Sequence, residues 1–229
     1  MSKDRMVNDW NTFYKRGQEA NTNLSHPSET IIRMLKGDYI DGTIPQIEGK
    51  SILDVGCGIG NNTVFLNTLG MKVSGTEISE DICASVREKL EGLGLGTDIR
   101  VGKNTELPYD DNTFDYLLSW NVLHYEGNEA GVIKGIQEYM RVLKPGGRLL
   151  LSTTGPDHKI KSDCKLLGNH LFQIGRDKDI RKGQVHFFFD TKEYIRFYFE
   201  EYFRELQIGR IYDDLFGEVL DWFIVTGVK

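Results

Sequence analysis

Cysteine is scarce in this sequence. Cys57, Cys83 and Cys164 are its only three, far apart and odd in number, so they make neither a disulfide framework nor a CxxC metal knuckle. No metal site is expected. Basic residues are outnumbered, 28 Lys and Arg against 34 Asp and Glu, for a formal net charge of -6. That balance disfavours nucleic acid as a partner, because nucleic-acid binding rests on a basic patch. No apolar run approaches the roughly 20 residues that span a bilayer, and the charged segment MSKDRMVNDWNTFYKRG does not read as a signal peptide. Repeats and low-complexity tracts are lacking as well. The remaining composition, 39% hydrophobic and 27% charged, is that of a soluble globular protein with a substantial core. A single domain over residues 1–229, in a reducing cytoplasm and without a membrane partner, is the simplest expectation.

The first 20 residues can form an amphipathic helix with Val7, Trp10, Phe13 and Tyr14 on one side. Pro27 can occupy the first turn of a second helix, Glu29 favours its N-terminus, and Gly37 can end it. From Lys50 onward short apolar runs alternate with helical stretches. SILDVG, MKVSGTE, TDIRVG and TFDYLLSW read as strands, and KPGGRLLLSTT as a turn feeding a fifth. Helices are expected over 61–69, from Ser79 as a cap, and over 130–143. Residues 155–190 look irregular, and 191–204 read as an aromatic-rich helix. RELQIGRIYDD and LDWFIVTGVK have no room for a helix between them, so they must pair antiparallel, with a turn at Asp213 and Asp214. The pattern predicts an α/β fold, a doubly wound seven-stranded sheet that is mostly parallel and ends in a C-terminal antiparallel hairpin.

The stretch ILDVGCGIG places Gly56, Gly58 and Gly60 at alternate positions directly after the first strand. A glycine-rich first βα turn lets backbone approach a ligand closely, and an acid ending the next strand can accept bonds from ribose hydroxyls. Glu77, 21 residues after Gly56, is that acid. The dinucleotide pattern GxGxxG fails, because its third glycine would fall on Asn61. Asp54, two residues before the first glycine, would repel a pyrophosphate but suits a ligand carrying positive charge. Asp54 also reads as a cap for the loop amides, and Cys57 as a small tolerated residue.

With Glu77, TELPYDDNTFDYLLSWNVLHY and YMRVLKPGGRLLLST, this loop resembles the class I S-adenosylmethionine-dependent methyltransferases over residues 48–154. The resemblance implies a Rossmann-like sheet, S-adenosyl-L-methionine as cofactor, and a small-molecule acceptor. Gly56, Gly58 and Gly60 would pass under the methionine part, with Asp54 and Cys57 near its amino-acid end. Glu77 would take the ribose and Ile78 one adenine face. Asn104 and Thr105 would lie at the adenine edge, although Lys103 stands where many relatives have an acid. Asn121 would lie beside the methionine portion. Trp10 and Tyr14 resemble lid aromatics, which makes residues 1–40 a helical lid, though packing explains them equally.

The acceptor must lose a proton, and histidine titrates in the right range. His158 beside Asp157, His124 after the fourth strand, and His186 are the candidate bases. Residues 155–190 are too long for an ordinary connection and read as an inserted acceptor-binding cap. That segment has seven Lys or Arg against five Asp, which points either to a solvated face or to an anionic acceptor. The expected activity is methyl transfer to an oxygen or nitrogen of a small metabolite. Two rivals stay open, a non-catalytic cofactor-binding partner subunit and an NAD-dependent dehydrogenase.

Overall fold

Apolar runs and helical stretches alternate as the sequence requires. In the computed structural model, which describes residues 3–19, 26–177 and 179–229, helices α1 (Lys3–Glu19) and α2 (Glu29–Lys36) come first. The expected lid and cap include residues 1, 2, 20–25 and 178, which lie outside the described residues. Then follow β1 (Ser51–Val55), α3 (Asn61–Thr68), β2 (Lys72–Glu77), α4 (Glu80–Gly92), β3 (Asp98–Val101) and β4 (Phe114–Trp120). Helix α5 (Glu129–Val142) leads into β5 (Leu143–Thr154), and β6 (Lys165–Gly168), β7 (Leu171–Gln173) and β8 (Val185–Phe187) come next. Helix α6 (Lys192–Phe199) and strands β9 (Arg204–Leu215) and β10 (Glu218–Val228) complete the chain.

Seven strands form one sheet in the order β3-β2-β1-β4-β5-β10-β9. The first five pair in parallel, and β10 runs antiparallel to both of its neighbours. Apolar side chains bury both faces, as a parallel sheet demands. Leu53, Leu117, Leu149 and Leu151 pack under α5 and α6 on one face. Ile52, Leu118 and Leu150 pack under α2 and α3 on the other.

Five local expectations give way. Ser28 is the N-cap of α2, in extended backbone with its N–H on Asn62 Oδ1 at 3.1 Å, so Pro27 precedes the helix. The expected turn at residues 144–147 is a bulge inside β5, where pairing to β4 jumps from Leu143 to Arg148. Residues 155–190 are not irregular: β6, β7 and β8 make a small antiparallel sheet. Asn169 and His170, at φ 48 and 57, form the two-residue left-handed turn that joins β6 to β7. Helix α6 stops at Phe199 because Arg204 is already paired with Val228 in the sheet. It also leaves Phe197 70% exposed. The last hairpin turns at Phe216 and Gly217, both left-handed at φ 58 and 89, and Asp214 Oδ1 accepts the Gly217 N–H at 2.7 Å.

One polar knot ties α5 to the loop after β3. Glu138 accepts the Leu107 N–H at 3.0 Å and pairs with Arg141 at 2.8 Å. Arg141 also donates to the Leu107 and Tyr109 carbonyls and to Asp111. These bonds hold the Glu138 carboxyl down at about pKa 2 although burial opposes them. A depressed acid stabilises the fold fully above its unfolded pKa and loses that contribution as pH falls. Glu138→Ala should therefore lower stability at pH 7 by about 2 kcal/mol. The variant should also lose part of the wild-type decline between about pH 4.5 and 2. Urea titration across that range measures both.

Candidate functional site

Strand order reverses at β1, with β2 and β3 to one side and β4 and β5 to the other. Loops leaving β1 and β4 therefore diverge and open a crevice beyond their carboxyl ends. A cavity of about 350 Å³ occupies it, lined by Gly56, Glu77, Ile78 and Asn121. Asn104 and Thr105 form another wall, and Trp10 and Tyr14 of α1 close over it. Its volume is in the range of small-molecule sites.

The turn above β1 depends on small residues. Gly56 and Gly58 are left-handed, at φ 63 and 60. A side chain on Gly56 would come within 2.8 Å of Val122, and one on Gly58 within 3.0 Å of the Tyr14 hydroxyl. Gly60 serves as the N-cap of α3, below the cavity. Glu77 organises the turn from β2: Oε1 accepts the Gly58 N–H and Oε2 the Ile78 N–H, each at 2.8 Å. From behind, Lys89 donates to the Ile59 carbonyl at 2.8 Å.

Asp54 lies beneath this turn, 1% exposed, and its Oδ2 accepts from Thr63 at 2.7 Å. Burial pushes its carboxyl up to about pKa 7, against the Thr63 bond and with help from Glu77. Burial raises Glu77 too, while the Ile78 and Gly58 amides oppose the rise. Both acids are held by neutral donors, so the crevice favours a positively charged ligand. Cys57 does not reach the cavity. Its buried thiol packs with Cys83, Val86 and Ile99, and desolvation raises its pKa.

Helix α1 is anchored through Asn11, which accepts from Ser79 Oγ at 2.7 Å and donates to Asp81 at 3.2 Å. Trp10 stacks on Tyr14 and meets Tyr125 edge-on, with centroids 5.6 and 5.4 Å apart. The Asn104 side chain is fully engaged: Nδ2 donates to Glu126 and to the Val122 carbonyl, and Oδ1 accepts from Tyr139. Asn104 therefore shapes the wall rather than offering an amide. Lys103 faces Glu106 at 3.6 Å. Trp120, Val122 and Tyr125 also line the cavity. Sequence reading missed Trp120, whose only signal was its position ending β4.

The three candidate bases gather behind that wall, not in the cavity. His124 lies 4.5 Å from the Tyr125 ring and 5.6 Å from His186, and His158 lies 4.2 Å from Trp222. His158 has no partner in Asp157, which binds Arg210 at 2.8 Å; its Nδ1 accepts the Ile160 N–H at 3.0 Å and caps the following turn. Desolvation lowers all three imidazoles, His158 to about 4 and His186 to about 3. Both nitrogens of His124, Nε2 of His158 and Nδ1 of His186 are buried without a hydrogen-bond partner. Among the described residues, no group of His, Cys, Asp and Glu is arranged to hold a metal.

Residues 52–147 match a family model described as a methyltransferase domain. The chain is 35% identical over 165 residues to the demethylmenaquinone methyltransferase of Shouchella clausii, covering 68% of this chain and 66% of that protein. It is 31% identical over 121 residues to phosphoethanolamine N-methyltransferase 3 of Arabidopsis thaliana, covering 49% and 24%. The matched segments span between about half and two thirds of the demethylmenaquinone methyltransferases it resembles. A structure of SAM-dependent methyltransferases from Methanosarcina mazei superimposes at a TM-score of 0.69 with 20% identity, over 89% of this chain and 98% of that one, and shows the fold is shared.

The raised acid beneath the turn makes a stability prediction. A carboxyl whose folded pKa lies above its unfolded value binds more protons when folded, so stability falls as pH rises between the two. For Asp54 that window runs from about 3.8 to about 7. Asp54→Asn keeps an acceptor for Thr63 and should flatten the decline, giving a higher Tm than wild type at pH 8 and little difference at pH 4. Thermal melts across that range check it.

Proposed function

Because this chain belongs to the class I S-adenosylmethionine-dependent methyltransferases, we propose that it transfers a methyl group to an oxygen or nitrogen of a small metabolite. The cavity at the order reversal carries this reading, since it joins a side-chain-free turn to the bonded Glu77 above buried Asp54. Each Glu77 oxygen holds one backbone N–H and keeps a lone pair for a ribose hydroxyl. Ile78 gives the cavity an apolar surface suited to a flat base. The negative charge of Asp54 and Glu77, without a cationic partner, suits a sulfonium and an ammonium.

S-adenosylmethionine, when bound, supplies a methyl group already activated by its positive sulfur. What remains for the chain is to align an acceptor and keep water out. Helix α1, with Trp10 and Tyr14 over the cavity, is the lid in this reading. The segment carrying the small sheet of β6, β7 and β8 does not line the cavity but closes the wall behind Tyr125 through Arg181 and His186. His124, His158 and His186 are the proton acceptors, reached by movement of the wall that Tyr125 and Trp222 form in front of them. The relatives named above differ in acceptor, one demethylmenaquinone and one phosphoethanolamine, so kinship alone leaves this chain's acceptor open. No helix among the described residues is long and apolar enough to cross a membrane.

Incubation with methyl-labelled S-adenosylmethionine and a fractionated metabolite pool tests the proposal. Label should pass to a small molecule, and Glu77→Ala should reduce transfer at limiting cofactor by tenfold or more, about 1.4 kcal/mol. Cofactor binding without transfer to any fraction would instead mark a partner subunit. The buried imidazoles set the pH dependence. They are neutral well below pH 6.5, so kcat should stay level from pH 5.5 to 8. A rise centred near 6.5 would assign the proton to an exposed base.

A further inference from the structure

A second cavity, of about 370 Å³, adjoins the first and shares Trp120 and Asn121 with it. Its other walls come from Ser28 at the start of α2, Asn61 and Asn62 at the start of α3, Asp213 on β9 and Trp222 on β10. Two indoles, both half-buried, thus face a rim of amide, hydroxyl and carboxylate groups.

Asn121, common to both cavities, is held in the left-handed region at φ 61. Its N–H donates to Ser152 Oγ at 2.9 Å, and its Oδ1 accepts from the same hydroxyl. A non-glycine residue in that conformation persists where its surroundings over-determine it. Ser152 of β5 supplies that constraint, which fixes the shared wall between the cavities.

Charge narrows the ligand. Among the described residues, the titratable side chains lining the second cavity are His26, Glu29 and Asp213, and no Lys or Arg lines it. Glu29 is paired with Arg33 at 2.6 Å. Most described basic residues of 155–190 are engaged elsewhere: Lys159 and Arg176 face Glu218, Arg181 binds Asp179, Lys182 binds Asp177, and Lys161 lies over the Phe188 ring. Among the described residues, none of that segment lines this cavity. Behind Trp222, by contrast, hydrogen-bonding capacity is unsatisfied. His158 Nε2 and the hydroxyl of Thr154, the register partner of Trp222, are buried without a partner. Buried polar atoms of this kind are rare in folded proteins and call for an explanation.

We propose that this second cavity is the acceptor site and takes an uncharged ring bearing hydroxyl groups, a sugar or a phenol, with its reacting hydroxyl at Asn121 and that hydroxyl's proton passing to the unpartnered His158 Nε2 behind Trp222 as the methyl group is received. Ring faces pack on Trp120 and Trp222, and the remaining hydroxyls bond the amide and carboxylate rim. The proposal rests on the reading of the first cavity as the cofactor site.

The three tryptophans separate the two claims, because Trp10 lines only the first cavity, Trp222 only the second, and Trp120 both. The full chain is labelled with 5-fluorotryptophan and followed by fluorine NMR. S-adenosylhomocysteine should shift the Trp10 and Trp120 lines. Methyl glucoside and catechol are then added separately to the loaded protein, with inorganic phosphate as the anion. One of the two rings should shift Trp120 and Trp222 and spare Trp10, and which one does so identifies the source of the hydroxyls. Phosphate should shift neither. Trp222→Leu should abolish the ring response at Trp120, and Asp213→Ala, on an exposed edge strand, should weaken it severalfold with the Trp10 response intact. The proposal is overturned if S-adenosylhomocysteine shifts Trp10 but neither ring moves Trp222, if phosphate alone does, or if Asp213→Ala changes nothing. A Trp10 line that ignores S-adenosylhomocysteine overturns the cofactor reading instead.

Discussion

Two carboxylates buried beneath a glycine turn govern this molecule. Asp54 ties β1 to α3 through Thr63, and Glu77 pulls the turn against β2 through the Gly58 and Ile78 amides. The geometry that makes the cavity is thus the geometry of their hydrogen bonds. Removing acids from water without a cationic partner raises their pKa values, and both are raised here. The free protein carries an electrostatic strain that a positive ligand relieves. Stability is lower than it could be at the place where binding is to occur, a trade common at functional sites.

The strain is local because the surroundings are rigid. Parallel β1, β2 and β4 hold the crevice open from below. The knot of Glu138 and Arg141 fixes the wall after β3, and Ser152 fixes Asn121. Helix α1 joins the body through Asn11, a bond from Gln184 to Asp9 and a cluster of rings. Rigid walls beneath it suit the lid role proposed for this helix.

Much of this was legible in the sequence. Apolar residues clustered between helical stretches mark the strands, so β1 to β4, the helices between them and the closing hairpin stood where the pattern put them. Gly56, Gly58 and Glu77 were readable because one βαβ unit, β1, α3 and β2, sets their spacing. What escaped depends on contacts between distant residues. The strands of residues 155–190 are three or four residues long, too short to show a period. The charges of that segment suggested an anion, but Lys159 and Arg176 find Glu218 on β10, a partner invisible to local composition. His158 beside Asp157 looked like a catalytic pair, yet adjacent residues need not face each other, and Asp157 turned to Arg210. The indoles of Trp120 and Trp222 meet at one cavity only because β10 inserts between β5 and β9.

Beneath the turn, buried Asp54 with a carboxyl near pKa 7 and the raised Glu77 receive a cationic cofactor. Calorimetric titration with S-adenosylmethionine at pH 6 and pH 8, in buffers of different ionisation enthalpy, tests this most directly. At pH 6 an Asp54 with a pKa of about 7 is largely protonated, and a positive ligand drives it to ionise. Proton release to the buffer at pH 6, tighter binding at pH 8, and loss of both effects in Asp54→Asn are expected, with NAD not binding. Equal affinity at the two pH values without proton release, or saturable binding of NAD, would contradict it.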